Sequence, residues 1–276
     1  MDWLYSTPSW QLAIVLFFFL LGGMSVGFLL GKNAARHGEQ EAGAADSSVK
    51  GAVAGLAALL LAFSFSLSAG RYDQRNTLVV REANSIRNAW LRADLLEERT
   101  RGSIQQLLRD YLDVRLKYIG AKFDRAQIAA AATASQQLQR QIWQVISEQS
   151  RINPEPRNVS TIVPALSEMI DASAAVEAAY SNTVPAIVLI LLFAAIIFTG
   201  LLVGHSFGRA GRRHVFTAAV FALLVSLVVS VILDLDRPRR GVIRENFGPL
   251  ENLRLTVQVA TAQPPTAVAA PLPAAQ

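Results

Sequence analysis

The residues that could carry out chemistry are few and widely spaced in this chain. It has 276 residues, no cysteine and only three histidines, His37, His205 and His214. Without thiols there are no disulfides, thiolate nucleophiles or cysteine-bound clusters, and three scattered histidines indicate no metal site. The carboxylate pair Glu97–Glu98 stands among arginines on a polar helical face, which is typical of solvated surface. No phosphate-binding glycine loop or nucleophilic serine motif occurs. The sequence therefore predicts no enzyme and no cofactor.

The composition indicates a membrane protein. Hydrophobic residues make up 52% of the chain and charged residues 17%, with a mean hydropathy of +0.32. Soluble domains carry about 25% charged residues. The formal charge of +5 is compatible with nucleic acid or with membrane contact, and the hydropathy favours the membrane. We therefore expect a lipid bilayer, and no nucleic acid, as the surroundings of this chain.

Four stretches contain no Asp, Glu, Lys or Arg and are long enough to cross a bilayer, which takes about 20 helical residues. They are approximately Leu12–Leu30, Gly51–Gly70, Val184–Gly204 and Val215–Leu233. Isolated strands cannot satisfy their backbone polar groups in lipid, so all four must be helices. The sequence predicts an all-α integral membrane protein with four transmembrane helices in a 2 + 2 layout and a helical extramembrane domain between the pairs.

This layout divides the chain into five predicted parts. They are a first transmembrane pair at 1–70, a helical extramembrane bundle at 71–183, a second transmembrane pair at 184–233, a basic C-terminal segment at 234–262 and a disordered Pro/Ala-rich tail at 263–276.

The second span is predicted to be the first half of one long helix. No proline occurs between Gly51 and Asn153, so nothing forces a break after the span. A narrow apolar seam continues at 3–4 spacing, with Glu82 off it and with an end expected at Gly102. The seam consists of Val79, Ala83, Ile86, Trp90 and Ala93. Three more helices are expected, one with Ile104, Leu108 and Leu112 inward, one over about 124–150 and one over about 161–181.

Glycines recur at four-residue spacing within three of the spans. The rows are Gly23, Gly27 and Gly31, then Gly51 and Gly55, then Gly200 and Gly204. Such rows let helix backbones approach closely. Two interpretations stay open, which are packing of helices within one chain and association between chains.

One face of the second span is a candidate functional surface. Gly55, Leu59, Phe63 and Ser66 lie 4, 4 and 3 residues apart, so they share a helical face. The face is either packed on lipid or on the chain itself, or it is a pore wall whose apolar side chains can gate by dewetting. A single four-helix chain has too little polar surface to line a water path. A pore would therefore require several copies around an axis.

Four short segments of the sequence form a distinctive set. Three of them, LAFSF at 61–65, RYDQR at 71–75 and EANSIRNA at 82–89, cover the second span and its continuation. The fourth is the run LDLDRPRRG at 233–241, in which Asp234, Asp236, Arg237 and Pro238 stand at the end of the last span. Together they resemble the bestrophin superfamily, and more specifically the bacterial bestrophin-like proteins called DUF4239. The resemblance covers most of the chain.

The resemblance implies a pentameric ion channel in the bacterial inner membrane, with the second helix lining the pore. It places the neck of the pore on Gly55, Leu59 and Phe63. The charges of Arg71 and Arg75 stand at the membrane exit of the second span, where a pore exit or lipid headgroups could use them. The expected partners are inorganic ions, with chloride as one candidate. The acidic calcium-binding cluster of animal bestrophins has no counterpart beyond Asp234 and Asp236, so calcium gating is not implied.

Two alternatives remain at the level of sequence. A non-conducting sensor or scaffold could use the helical bundle to bind a ligand or a protein. The orientation is also open, because the resemblance implies cytoplasmic termini and a cytoplasmic helical domain, whereas the charges of the short loops favour the opposite. Those charges are Lys32, Arg36 and Lys50 in the first loop and Arg209, Arg212 and Arg213 in the second.

Overall fold

The computed structural model describes residues 8–37, 44–121, 124–152, 156–239, 243 and 245–262. These residues form helices and connecting turns, with no strand among them. The helices are α1 (Ser9–Arg36), α2 (Ala44–Ala93), α3 (Glu98–Gly120), α4 (Arg125–Ile152), α5 (Pro156–Ser181), α6 (Ala186–Arg209), α7 (Val215–Asp236) and α8 (Gly248–Ala262). The predicted Pro/Ala-rich tail at 263–276 lies outside the described residues.

Four helical stretches of the described chain are long and apolar enough to cross a membrane. They are Trp10–Arg36, Asp46–Ala93, Ser160–Arg209 and Val215–Asp236. Each contains one of the four predicted spans, so the all-α membrane fold is confirmed. The helix α2 has 50 residues, about 75 Å at 1.5 Å per residue, against about 30 Å of hydrocarbon. Its continuation past Gly70 without a break is also as predicted.

The chain divides into two compact units. Unit 1 comprises the described residues up to Arg75 together with Ala179–Glu245, and unit 2 comprises Asn76–Ala178 with the C-terminal helix. Unit 1 contains α1, the first part of α2, α6 and α7. Its apolar core includes Leu20 of α1, Leu192 and Ile196 of α6, and Val229 of α7.

Glycines bring α1 and α6 of unit 1 into backbone contact. A Cβ atom on Gly27 would overlap the carbonyl oxygen of Leu201, and one on Gly204 would overlap that of Met24. Gly31 and Gly208 are equally crowded. Gly27, Gly31 and Gly204 of the predicted rows therefore serve packing within the chain. Gly23, Gly51 and Gly55, by contrast, have nothing within 4 Å of an added Cβ.

Unit 2 is a helical bundle that includes α3, α4, α5 and α8. The predicted seam from Val79 to Ala93 is buried, as are Ile104, Leu108 and Leu112 on α3. The carboxylate of Glu82 was expected off the seam, but it is fully buried because the Arg115 guanidinium pairs with it.

The predicted end of the long helix at Gly102 is wrong. The helix α2 ends at Ala93, where backbone N–H groups of Asp94, Leu95 and Leu96 each bond the carbonyl three residues earlier and tighten the last turn. Gly102 lies inside α3 at an exposed position. A glycine in an exposed helical position costs only about 1 kcal/mol relative to alanine, so it does not have to break the helix.

Candidate functional site

The predicted pore face of α2 is not covered by its own chain. Leu59 is 52% exposed and Phe63 is 59% exposed. Gly55 and Ser66 are exposed as well. An α-helix advances by about 100° per residue, so these four side-chain positions fall within roughly a quarter of the helix circumference.

The roughly opposite side of α2 packs into the chain. Ala57, Ser64 and Ser68 are buried, with exposed fractions of 4%, 0% and 0%. Intervals of seven and four residues keep these positions on one side of the helix. One side of α2 therefore packs against its own subunit. The apolar side is uncovered and must contact lipid or another molecule in the membrane.

A cluster of charged residues lies where α2 passes the end of α7, within unit 1. Arg75 is 1% exposed, and its Nε donates to Oε1 of Glu245 over 2.8 Å. Its Nη2 donates to the carbonyl oxygen of Leu235 over 2.6 Å. Arg75 thus binds both the last turn of α7 and the segment that follows it.

The two aspartates of the C-terminal motif accept backbone hydrogen bonds. Both carboxylate oxygens of Asp236 accept the N–H of Val184, at 3.0 and 3.2 Å. Oδ2 of Asp234 accepts the N–H of Ile243 at 2.9 Å. The Nη1 atom of Arg71 lies 3.9 Å from Oδ1 of Asp236. These carboxylates therefore hold the chain that enters α6 and the chain that leaves α7.

The remaining residues of the motif lie in the same place. Arg237 is buried and Pro238 is half-buried. The guanidinium carbon of Arg239 lies 4.8 Å from the centre of the Tyr180 ring, within the range of a cation–π contact. The last residues of the motif, 240 and 241, are outside the described residues. Within the described ranges no three His, Asp or Glu side chains lie close enough to hold a metal ion.

The structure brings the predicted site residues together in two groups. Gly55, Leu59, Phe63 and Ser66 share the exposed face, and the arginines join the C-terminal motif. Arg71 is half-buried, so part of it stays accessible to solvent. Arg75 was expected to present its charge to headgroups or ions, but it is buried because Glu245 neutralises it inside the chain.

Sequence reasoning missed Glu245 as the partner of Arg75. The only sign of it in the sequence is a lone acid that follows a basic run, RPRRGVIR at 237–244. A lone acid after so many arginines has several possible partners. The pairing with Arg75, 170 positions away, is a property of the fold.

Residues 17–244 match the Bestrophin-like domain family, and this range is more than half of the sequence. The chain belongs to the bestrophin-like family. The resemblance predicted from the motifs is thereby confirmed, while the narrower DUF4239 assignment stays a prediction. No curated protein matches the chain.

Solved structures share the bestrophin-like fold of this chain. A bacterial bestrophin homologue from Klebsiella pneumoniae matches with a TM-score of 0.66 at 14% identity, covering 90% of this chain and 99% of the homologue. A mutant of that homologue gives a TM-score of 0.68 at 14% identity with the same coverage. A mutant described as a membrane protein gives 0.61 at 14% identity, over 88% of this chain and 96% of the other. At this identity the likeness establishes the fold.

Proposed function

We propose that this bestrophin-like protein is an oligomeric ion channel in which copies of α2 surround a common pore. The observation that carries the proposal is the uncovered face of α2, with Leu59 and Phe63 more than half exposed while the other side of the helix is buried. Membership of the bestrophin-like family supports it. The resemblance stated above makes a pentamer in the bacterial inner membrane the expected assembly.

The order of residues along this face fits a conduit with a narrow apolar section. Gly55 leaves open space, Leu59 and Phe63 follow with bulky apolar side chains, and Ser66 adds a hydroxyl one turn later. Apolar constrictions can gate ion flow by excluding water. Arg71 stands beyond Ser66 and is partly accessible, although Asp236 lies 3.9 Å from its Nη1. Chloride is therefore the first ion to test, with the common cations beside it. In this proposal 71–183 forms the extramembrane bundle.

Ion flux through reconstituted protein tests the proposal. The full-length chain is placed in liposomes, and chloride efflux is compared for wild type, Phe63→Ala and Phe65→Ala. Phe65 is 45% exposed on the same helix but lies away from the face that Phe63 shares with Leu59, so it is a matched control. We expect Phe63→Ala to raise the efflux severalfold and Phe65→Ala to leave it near wild type.

Two results would contradict the channel. One is efflux no faster than from protein-free liposomes, for chloride and for the common cations alike. The other is an identical change in both phenylalanine variants, which would indicate a general packing effect. The mass of the protein in mild detergent tests the assembly separately, because a strictly monomeric mass would contradict a pore built from several copies of α2.

A further inference from the structure

A second feature of unit 1 is a cavity beside the short turn between α6 and α7. It has a volume of about 320 Å³ and is lined by α1, by the end of α6 and by the beginning of α7. Leu21, Phe28, Val215 and Ala218 contribute apolar lining, and Arg213 and His214 line it from the turn. The cavity thus combines an apolar interior with a cationic side.

The two basic residues of the cavity rest on aromatic rings. The guanidinium carbon of Arg213 lies 4.8 Å from the centre of the Phe28 ring, and the His214 ring lies 5.3 Å from that of Phe207. A guanidinium over a ring face is attracted by the quadrupole of the ring. Among the described residues no carboxylate lies within ion-pair distance of Arg213, and its side chain is exposed. Its positive charge is therefore held in place and is not neutralised by the protein.

The three helices that line the cavity carry basic residues near it, and Asp46 of α2 acts electrostatically on one of them, Arg209. Neither 9–36 nor 186–233 contains an aspartate or a glutamate. The three helices that line the cavity therefore carry no acidic residue except Asp234 and Asp236 at the end of α7. Arg209 and Arg212 stand in the same turn as Arg213. An occupant with a negative group and an apolar body would therefore be complementary to this site.

We propose that the cavity binds an anionic phospholipid, with its phosphate on Arg213 and an acyl chain between Phe28 and Ala218. The ends of transmembrane helices lie at the level of the lipid headgroups, and basic pockets there attract anionic lipid. The α6–α7 turn joins two such helices. The ion pathway proposed above does not include this site, so either proposal can fail without the other.

Lipid retention measured by native mass spectrometry tests this proposal. The detergent-purified full chain is incubated with equal amounts of phosphatidylglycerol and phosphatidylcholine, and the bound lipid is counted for wild type, Arg213→Gln and Arg212→Gln. Arg212 is the matched control, because it lies in the same turn and carries the same charge but does not line the cavity. We expect wild type to retain mainly phosphatidylglycerol. Arg213→Gln should lower the retention of phosphatidylglycerol about fivefold, because that is the change expected when one basic contact near the membrane surface is lost. Arg212→Gln should lower it less than twofold.

A second variant tests the acyl-chain part of the site. Ala218→Phe fills the cavity and leaves Arg213 in place, so it should also reduce phosphatidylglycerol retention, with size-exclusion chromatography to verify the fold. Equal losses for Arg212→Gln and Arg213→Gln would overturn the proposal in favour of diffuse attraction to the turn. Equal retention of the two lipids, or displacement of the lipid by excess inorganic phosphate, would overturn it as well, the latter by indicating a free-anion site. If Ala218→Phe keeps its fold and retains as much phosphatidylglycerol as wild type, the proposal is overturned as well.

Discussion

Arg75 and Glu245 form a buried ion pair in which Nε of the arginine donates to Oε1 of the glutamate over 2.8 Å, with side chains only 1% and 3% exposed. The two residues are 170 positions apart. Because Arg75 also binds the Leu235 carbonyl, one guanidinium connects α2 with the end of α7. The same helix carries the proposed pore face roughly two to six turns earlier, so this pair fixes the position of a helix whose other side is uncovered.

Removing the charge of Glu245 should destabilise the protein. In Glu245→Gln the Arg75 guanidinium stays buried without a counter-charge, and breaking a buried ion pair costs about 3–5 kcal/mol. Thermal unfolding in detergent, followed by tryptophan fluorescence, measures the effect. Glu251→Gln is the control, because Glu251 is exposed on α8. Equal melting temperatures for the two variants would show that the Arg75–Glu245 pair does not stabilise the fold.

Alanine at two glycines of α1 should have opposite effects. In Gly27→Ala the new Cβ overlaps the backbone oxygen of Leu201, so α1 and α6 must separate, at a cost of about 1–3 kcal/mol or more. In Gly23→Ala the methyl group meets nothing within 4 Å, and the higher helix propensity of alanine is worth up to about 1 kcal/mol. Melting temperatures of the two variants check this, and a decrease of similar size in both would contradict the assigned contact.

The guanidinium of Arg115 should be essential to the stability of unit 2. It pairs with the buried Glu82 and, at 2.8 Å from Nη1, with Oε1 of Glu177. Burial disfavours its charge, but Glu82, Tyr111 and Glu177 together outweigh this and raise the pKa of Arg115 above its ordinary value. In Arg115→Met the Glu82 carboxylate is left buried and unpaired, which should cost about 3–5 kcal/mol.

The double variant Glu82→Gln/Arg115→Met provides the matching control. It removes the orphaned carboxylate, so we expect it to recover part of the stability lost in Arg115→Met. The double variant and both single variants, Arg115→Met and Glu82→Gln, can be compared with wild type by unfolding in denaturant. If the double variant is as unstable as the sum of the two single variants, the Glu82–Arg115 interaction is not the source of the loss.

The phenol of Tyr111 should make unit 2 sensitive to alkaline pH. Tyr111 is fully buried, and Gln139 donates to its oxygen over 3.2 Å and to Ser173 over 2.8 Å. Burial raises the pKa of Tyr111 above its ordinary value of 10.0. The unfolded chain therefore loses this proton before the folded chain does. The stabilisation is complete below about pH 10 and is lost as the pH rises towards the folded pKa, by up to about 1.4 kcal/mol per pH unit.

Tyr111→Phe isolates this contribution. Its stability should fall less steeply above pH 10 than that of wild type. Denaturant unfolding at several alkaline pH values gives both slopes. Parallel curves for wild type and Tyr111→Phe would show that the phenol ionises equally easily in the folded and unfolded chains.

The pattern of apolar residues was enough to predict the helices and one face of the candidate site. Hydropathy gave the four spans, and 3–4 spacing gave the seam from Val79 to Ala93 and the shared face of Leu59 and Phe63. These properties depend on neighbours within a few turns of one helix. That the face is exposed while Ser64 is buried could not be predicted, because periodicity identifies a face and not what covers it.

The sequence by itself determined the membrane-spanning class, the unbroken course of α2 past Gly70 and the family, since all three rest on local composition and short motifs. Only the tertiary structure decided that Gly27 is crowded while Gly23 is open, and that α2 ends at Ala93. It also placed Glu82 against Arg115 and Arg75 against Glu245. A buried charge is stable only beside a counter-charge, and that counter-charge comes from a distant part of the chain that the fold alone brings near.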